Sequence, residues 1–311
     1  MKPNHLPGVH ALATTVGGGE VDRRARLLAL AGELRPELHR YCARLMGSVI
    51  DGEDVVQDTF VRAFLALDEL DEAPPLRPWL FRIAHNRALD LLRSRTIRAA
   101  EPLEAAHDVA DQATPDPVEM LMRQEAVKTA VSRFTELPIL QRSVVIMKDV
   151  LDEPLAEIGA LLDLTVDAVK GHLARGRARL REINARDERL PDARPASAAV
   201  ARYVALFNQQ DWAALRALLA DDVKLNQATH PLRIGSADVG MFFSIYAKMD
   251  AVWLAPAWLD DREVIAVFDS RDDPKPSYLM WLEWRDGQIS LIRDYRYVRY
   301  VAAEADLVLA T

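Results

Sequence analysis

The stretch "LAEIGALLDLTVDAVKGHLARGRARL", Leu155 to Leu180, decides how the chain is read. Leu155, Ile158 and Leu162 recur at helical spacing, "DLT" interrupts them, and Val166, Val169, Leu173 and Leu180 resume the same period. Thr165 stands where a side-chain oxygen can accept from the open backbone N–H groups of the second segment, so it is the expected N-cap. Two short helices about a tight turn form a helix-turn-helix. The outer face of the second helix is then expected to carry Ala168, Gly171, His172, Arg175 and Arg179, with Lys170 and Arg177 on its flanks. Five basic residues and no acid lie between Lys170 and Arg181. Such a helix fits a DNA major groove, with cations at phosphates and one or two side chains at base edges. A solvated basic face is the plain alternative.

Whole-chain charge argues against a DNA-coating protein. The 311 residues carry a formal charge of −8, whereas nonspecific duplex binding rests on Lys and Arg neutralising phosphates. The acid is localised: residues 100–116 hold five carboxylates and no Lys or Arg, and residues 191–311 hold 17 acids against 13 bases. This length implies two or three domains, each able to bury a core. The single cysteine, Cys42, excludes an internal disulfide, and no apolar run approaches the roughly 20 residues that cross a bilayer. A cytoplasmic location without a membrane span is expected. Residues 1–25 contain "GGGE" but no charged start followed by an apolar core, so they read as a flexible tail rather than a signal peptide.

Apolar spacing of three and four over residues 26–98, broken by "EAPPLRP", predicts a first helical domain. The segment 99–117, with Glu101, Glu104, Asp108 and Asp111, reads as an acidic linker. Its stretch "EPLEAAHDVADQATPDP", extended at roughly 3.3 Å per residue, could span about 55 Å. Helical periodicity returns over 118–189, and "LPDARPAS" marks a second linker at 190–198. Within the first domain, "WLFRIAHNRALDLLRSR" (Trp79–Arg95) puts Leu80, Ile83, Ala84, Ala88 and Leu91 on one face. Arg82, Asn86, Leu89 and Arg93 form a ladder on the other, with Trp79 at its upper end. Arg, Asn and an aromatic are groups that meet phosphate, base edge and unpaired base, though spacing alone also allows a solvated face with Trp79 as a core anchor. In the preceding helix, "DGEDVVQDTFVRAFLAL", the buried stripe is Val56, Phe60, Ala63 and Leu67. Asp54, Asp58, Val61 and Leu65 share the opposite side, a combination suited to a basic, partly apolar partner helix.

Together "DGEDVVQDTFVRAF", "RPWLFRIAHNRALDLLRSR", "ELPILQRSVVIMKDV" and the helix-turn-helix resemble, in order and spacing, bacterial sigma factors of the extracytoplasmic-function (ECF) group over about residues 26–188. The resemblance implies that Asp54, Gln57, Asp58, Val61, Arg62 and Leu65 dock core RNA polymerase, through the β′ clamp helices and with further contacts to the β subunit. Trp79, Arg82, Asn86 and Arg93 would capture the minus-ten element of promoter DNA. Lys170, His172, Arg175, Arg177 and Arg179 would meet the minus-thirty-five element. Gly171, His172 and Gly176 depart from the usual family residues there, and each helical glycine costs roughly 1 kcal/mol against alanine.

After Ala198, helical segments give way to alternating aromatic and β-branched runs, "REVIAVFDS", "SYLMWLEW" and "QISLIRDYRYV", with "RDGQ" as a hairpin turn. An α+β domain with helices against one antiparallel sheet is expected. Residues 199–311 resemble a SnoaL-like domain, a cone-shaped fold that in some ECF groups is fused at the carboxyl end and tunes sigma activity. The DGGGK motif of one such group is absent. Trp253, Trp258, Trp281, Trp284 and Tyr295 are the residues that would line a ligand cavity, although aromatics at strand spacing also serve as core; His230 and Asp294 are the candidates for moving a proton. No Cys/His cluster, phosphate-cradling glycine loop or nucleophile triad occurs, so neither cofactor, metal nor reaction is expected.

The overall expectation is therefore a multidomain chain: two all-α domains, sigma region 2 (26–98) and region 4 (118–189), followed by a regulatory α+β domain at 199–311 that a small molecule or protein addresses. The competing function is a small-molecule-binding or enzymatic SnoaL-like domain, tethered to DNA by a helix-turn-helix regulator that does not load polymerase.

Overall fold

A computed structural model describes residues 18–67, 74–99, 117–186, 194–249 and 251–311. The acidic linker and most of the amino-terminal tail lie outside these. The chain divides into two compact units, residues 1–188 and 189–311.

The first unit is helical: α1 (Gly18–Met46), α2 (Val49–Leu67), α3 (Leu76–Ala99), α4 (Pro117–Lys128), α5 (Ile139–Val145), α6 (Leu155–Leu162) and α7 (Val166–Asn184). A 3-10 turn, Val131–Glu136, precedes α5 and a π-helical turn, Ile146–Val150, follows it. In α2 the stripe Val56, Ala63 and Leu67 is buried, with Phe60 partly so. In α3 Leu80, Ala84 and Ala88 are buried as the period predicts, but Phe81 and His85 are buried too. This second arc exists because Tyr41 of α1 meets both. Its ring sits edge-on to Phe81 with centroids 5.7 Å apart, and its hydroxyl lies 2.7 Å from His85 Nδ1. Burial, aided by the nearby Arg93, pulls His85 down to about 4, so the imidazole is neutral at physiological pH.

A single apolar cluster joins Leu38, Tyr41, Phe81 and Ala88 to Phe134, Val145, Ile158 and Leu173. The two helical segments that the sequence separates by a linker thus share a core. Arg142 on α5 is the polar centre of that junction. It donates from Nη1 to Leu45 O at 2.7 Å, and from Nη2 to Thr135 O at 2.7 Å and Leu137 O at 2.9 Å. Burial lowers this guanidinium to about 10, still protonated at neutral pH, where backbone carbonyls replace its water.

The helix-turn-helix closes as its sequence dictates. Asp163 takes the left-handed conformation with φ of 58° at the end of α6, and Thr165 Oγ1 accepts from Ala168 N at 3.2 Å to cap α7. Gly176, an unfavourable residue for a helix, sits where a Cβ would come within 2.6 Å of Val145 Cγ2 and 3.2 Å of Gln141 O. Close approach of α5 to α7 requires it.

The second unit begins with α8 (Ala198–Asn208) and α9 (Trp212–Arg216), then β1 (Leu219–Gln227), β2 (Arg233–Ile234), α10 (Ser236–Gly240) and α11 (Phe242–Tyr246). β3 (Trp253–Leu259), β4 (Arg262–Phe268), β5 (Tyr278–Arg285), β6 (Gln288–Asp294), α12 (Tyr300–Ala303) and β7 (Val308–Leu309) complete it. The strands run in the order β2-β1-β6-β5-β4-β3-β7. The sheet is mixed rather than wholly antiparallel, because β1 enters beside β6 in parallel while every other pair is antiparallel. In "RDGQ", Asp286 and Gly287 both take positive φ, 53° and 77°, the two-residue turn whose twist matches a hairpin. Tyr203 and Phe207 of α8, with Phe242, Phe243 and Tyr246, cover the face formed by Leu254, Ile265, Val267, Met280 and Ile292.

Candidate functional site

On α7 the expected reading residues do not stay together. Arg177 donates from Nε and Nη2 to the two carboxylate oxygens of Asp149, at 2.9 and 2.5 Å. The Asp149 side chain is 0% exposed and that of Arg177 14%, so this pair holds α7 to the preceding turn and leaves Arg177 largely enclosed. His172 is buried as well, with its Nδ1 3.5 Å from Arg175 Nη2. It falls three residues after Val169 and four before Gly176, at the edge of the core stripe rather than on the outer face. Lys170 and Arg179 lie on the surface in (i, i+3) ion pairs with Asp167 and Glu182, at 3.5 and 3.2 Å. Such exposed pairs are worth only tenths of a kcal/mol and yield readily to phosphate. Arg175 is partly buried, and Arg181, outside the expected set although its charge was visible in the sequence, is exposed.

On α3 the ladder keeps its shape: Arg82, Asn86 and Arg93 are all exposed. Arg93 meets Asp90 at 3.4 Å. Trp79 stands apart from them, partly buried against the cluster of Leu27, Leu34, Ala63, Leu67 and Leu80, so it anchors the helix. The ladder's first member reaches the helix-turn-helix, since Arg82 Nη2 donates to Ala160 O of α6 at 3.4 Å. Beside it Arg77 bridges Glu37 of α1 and Glu153, the latter just ahead of α6, and lies 5.1 Å from the centre of the Phe81 ring. Burial works against that charge, but the two carboxylates prevail and raise its pKa.

On α2, Val61 and Leu65 are 55% and 66% exposed, and Arg62 is exposed beside them. Asp54, Gln57 and Asp58 are partly exposed on the same side. Asp58 also accepts from Arg87 of α3, at 2.6 Å, which fixes its carboxylate relative to the ladder.

The second unit does not gather the five aromatics into one cavity. Trp253 and Trp281 alternate with the core residues Leu254 and Met280 and so point to the other face of the sheet. There Trp281 lies between the guanidiniums of Arg262 and Arg293, 5.5 and 5.2 Å from its ring centre, and Arg271 sits 4.4 Å from that of Trp253. Trp258 donates to Arg194 O at 3.2 Å. Trp284 packs against the core, and Tyr295 is buried. His230 and Asp294 are not partners either. His230 stacks on Tyr297 with centroids 3.9 Å apart. Asp294, fully enclosed, accepts from Gln227 Nε2 at 2.7 Å and from Arg296 N at 3.1 Å. Burial pushes its carboxyl up to about 6 against those two hydrogen bonds. Near it Tyr246 and Tyr278 join hydroxyls at 2.7 Å, both held protonated by burial. This pair draws one phenol from a short helix and the other from a strand 32 residues on, a relation no local pattern announces. Among the described residues no group of His, Cys, Asp and Glu is arranged to hold a metal ion, and no helix is long and apolar enough to cross a membrane.

Residues 30–97 match the family model of sigma-70 region 2, and residues 126–180 that of sigma-70 region 4. The chain is 33% identical over 232 residues to the ECF RNA polymerase sigma factor SigG of Mycobacterium tuberculosis, a match covering 66% of this chain and 62% of SigG. It is 38% identical over 137 residues to the RNA polymerase sigma factor CnrH of Cupriavidus metallidurans, covering 42% of this chain and 71% of CnrH. Among solved structures, the extracytoplasmic-function sigma factor SigJ of Mycobacterium tuberculosis aligns over 86% of this chain and 95% of its own, at 21% identity and a TM-score of 0.33.

Proposed function

Given that the chain belongs to the extracytoplasmic-function sigma factors of bacterial RNA polymerase, we propose that it loads core polymerase onto a subset of promoters in the cytoplasm. In this reading α2 docks the β′ clamp helices and α3 captures the minus-ten element. The α6–α7 pair meets the minus-thirty-five element, with further contacts to the β subunit, and the protein catalyses nothing by itself. One observation carries the loading step: Val61 and Leu65 are left open beside Asp54 and Asp58, on the helix whose Asp58 is tied to α3 through Arg87. A tethered regulator has no use for such a face. Burying each aliphatic is worth roughly 1.5–3 kcal/mol. Val61→Ser with Leu65→Ser is therefore expected to weaken binding of core polymerase about 100-fold while the unfolding midpoint stays put. Core affinity within twofold of the parent would leave the tethered regulator standing.

Opening of the helical unit is part of the proposal. Elements centred ten and thirty-five base pairs from the start site are about 85 Å apart at roughly 3.4 Å per pair. Helices in which Arg82 touches Ala160 cannot occupy both. The acidic linker, with its reach of about 55 Å, supplies most of the length for separation, and the extent of the helical segments on either side of it supplies the rest. A fluorescent donor at Asn86 and acceptor at Ala178 should move apart when core polymerase is added; an unchanged distance would count against the opening. The same pair in a chain ending at Ala198 tests the regulatory role assigned to the second unit. Identical distance distributions and promoter output with and without that unit would remove the role.

A further inference from the structure

If α7 enters the minus-thirty-five element, which rests on the function proposed above, the structure narrows which of its side chains can select a sequence. His172 is buried, Arg177 is held by Asp149, and Gly171 has no side chain. The N-terminal half of a reading helix is the part that meets base edges. There Asp167 and Ala174 are exposed and Lys170 is partly exposed between them, at spacings of three and four. The Asp167 side chain is 80% exposed, and its contact with Lys170 at 3.5 Å holds the two stems side by side.

An acid in this place is informative. Among phosphates a carboxylate is repelled unless it accepts an N–H from a base, and cytosine N4 is the major-groove donor that carboxylates meet. Thymine O4 and guanine O6 are acceptors and would face it with like polarity. Lysine has the complementary preference for guanine O6 and N7, and an alanine methyl suits the thymine methyl. Three helical residues rise about 4.5 Å and seven about 10.5 Å, against roughly 3.4 Å per base pair. We propose that Asp167 and Lys170 are the sequence-selecting pair of this chain. Asp167 accepts from N4 of a cytosine, Lys170 donates to a guanine in the neighbouring base pair, and Ala174 lies against a thymine methyl about three pairs from the cytosine. Arg179 and Arg181, farther along the helix, hold phosphates and carry no sequence preference.

The test is a selection with the full-length chain and core polymerase on promoters randomised around the minus-thirty-five region. The parent should enrich a cytosine and a guanine in adjacent pairs. Asp167→Ala should lose about 5- to 150-fold discrimination at the cytosine alone, and Lys170→Ala at its neighbour. Asp167→Asn should shift the preference from cytosine to adenine, whose N6 and N7 suit an amide. Arg179→Ala should lower yield from all sequences alike. If the alanine variants select the same sequence as the parent, or the parent selects an element without those two bases, the assignment is wrong while the sigma-factor reading survives. If the parent selects no element although core polymerase is bound, both are overturned.

Discussion

Arg177→Ala should destabilise the helical unit by about 3–5 kcal/mol and abolish promoter output through folding rather than through a lost DNA contact. Removing one member of a buried ion pair leaves the other charge enclosed without its counterion. Asp149 is wholly enclosed, and both of its oxygens accept from the one guanidinium. Replacing both partners by apolar residues of similar volume, Asp149→Leu with Arg177→Met, removes the two charges together. That double variant is expected to return to within about 1 kcal/mol of the parent or to exceed it, because desolvation of the pair offsets much of its attraction. Urea unfolding of the three chains measures the non-additivity. Promoter output then distinguishes the two roles: a double variant that folds and still transcribes gives Arg177 a structural role, whereas one that folds but does not transcribe gives it a DNA-binding one.

The fate of Arg177 shows where legibility stops. Periodicity placed the turn at "DLT", the cap at Thr165 and the stripe Val169, Leu173 and Leu180, because each depends on residues within one or two turns. It also placed the open aliphatics of α2, since Val61 and Leu65 contradict the stripe opposite them. It could not place Arg177, whose partner lies 28 residues away on a different element, nor the second buried arc of α3, which exists only because Tyr41 arrives from α1. His172 is hard to place from sequence for a narrower reason. It lies on the border between core and outer face, where a shift of a few tens of degrees decides burial, and its neighbours Gly171 and Gly176 give the pattern no side chain to read.

The second unit was less legible still. The runs that became β4, β5 and β6 alternate in hydrophobicity, and their turn has its signature in Asp286 and Gly287. The strand β1 hides in "LLADDVKLNQ", directly after a helix, and becomes a strand by pairing with β6 some 65 residues later. Tryptophans that look like a cavity lining divide between the two faces, because alternate residues of a strand point apart. The polar groups that do converge, Gln227, Tyr246, Tyr278 and Asp294, come from four elements.

Asp294 supplies the second large effect. Its carboxyl has an ordinary value of 3.8 and rises to about 6 in the folded chain. A raised pKa means that folding favours the protonated acid, so the contribution is fully present below 3.8 and is lost as pH rises through about 6. At pH 7.5 the second unit therefore carries a buried charge that costs up to about 3 kcal/mol, the free energy that separates 3.8 from about 6. Asp294→Asn removes that charge without changing the shape. Its amide oxygen can accept from Arg296 N, and Gln227 need only turn its own amide to present oxygen in place of nitrogen. The variant should be more stable than the parent by up to about 3 kcal/mol at pH 7.5, with the difference shrinking to near zero by about pH 4. Measuring both chains across that range cancels the titration of every other group. A stability difference independent of pH would show that Asp294 is not penalised by burial, whereas convergence towards acid would establish a carboxylate kept at the expense of stability. Strongly shifted carboxyls cluster at functional sites, which makes this one worth testing for a role. Comparing promoter output of Asp294→Asn with the parent at neutral pH then asks whether the charge within the second unit is what the helical unit responds to.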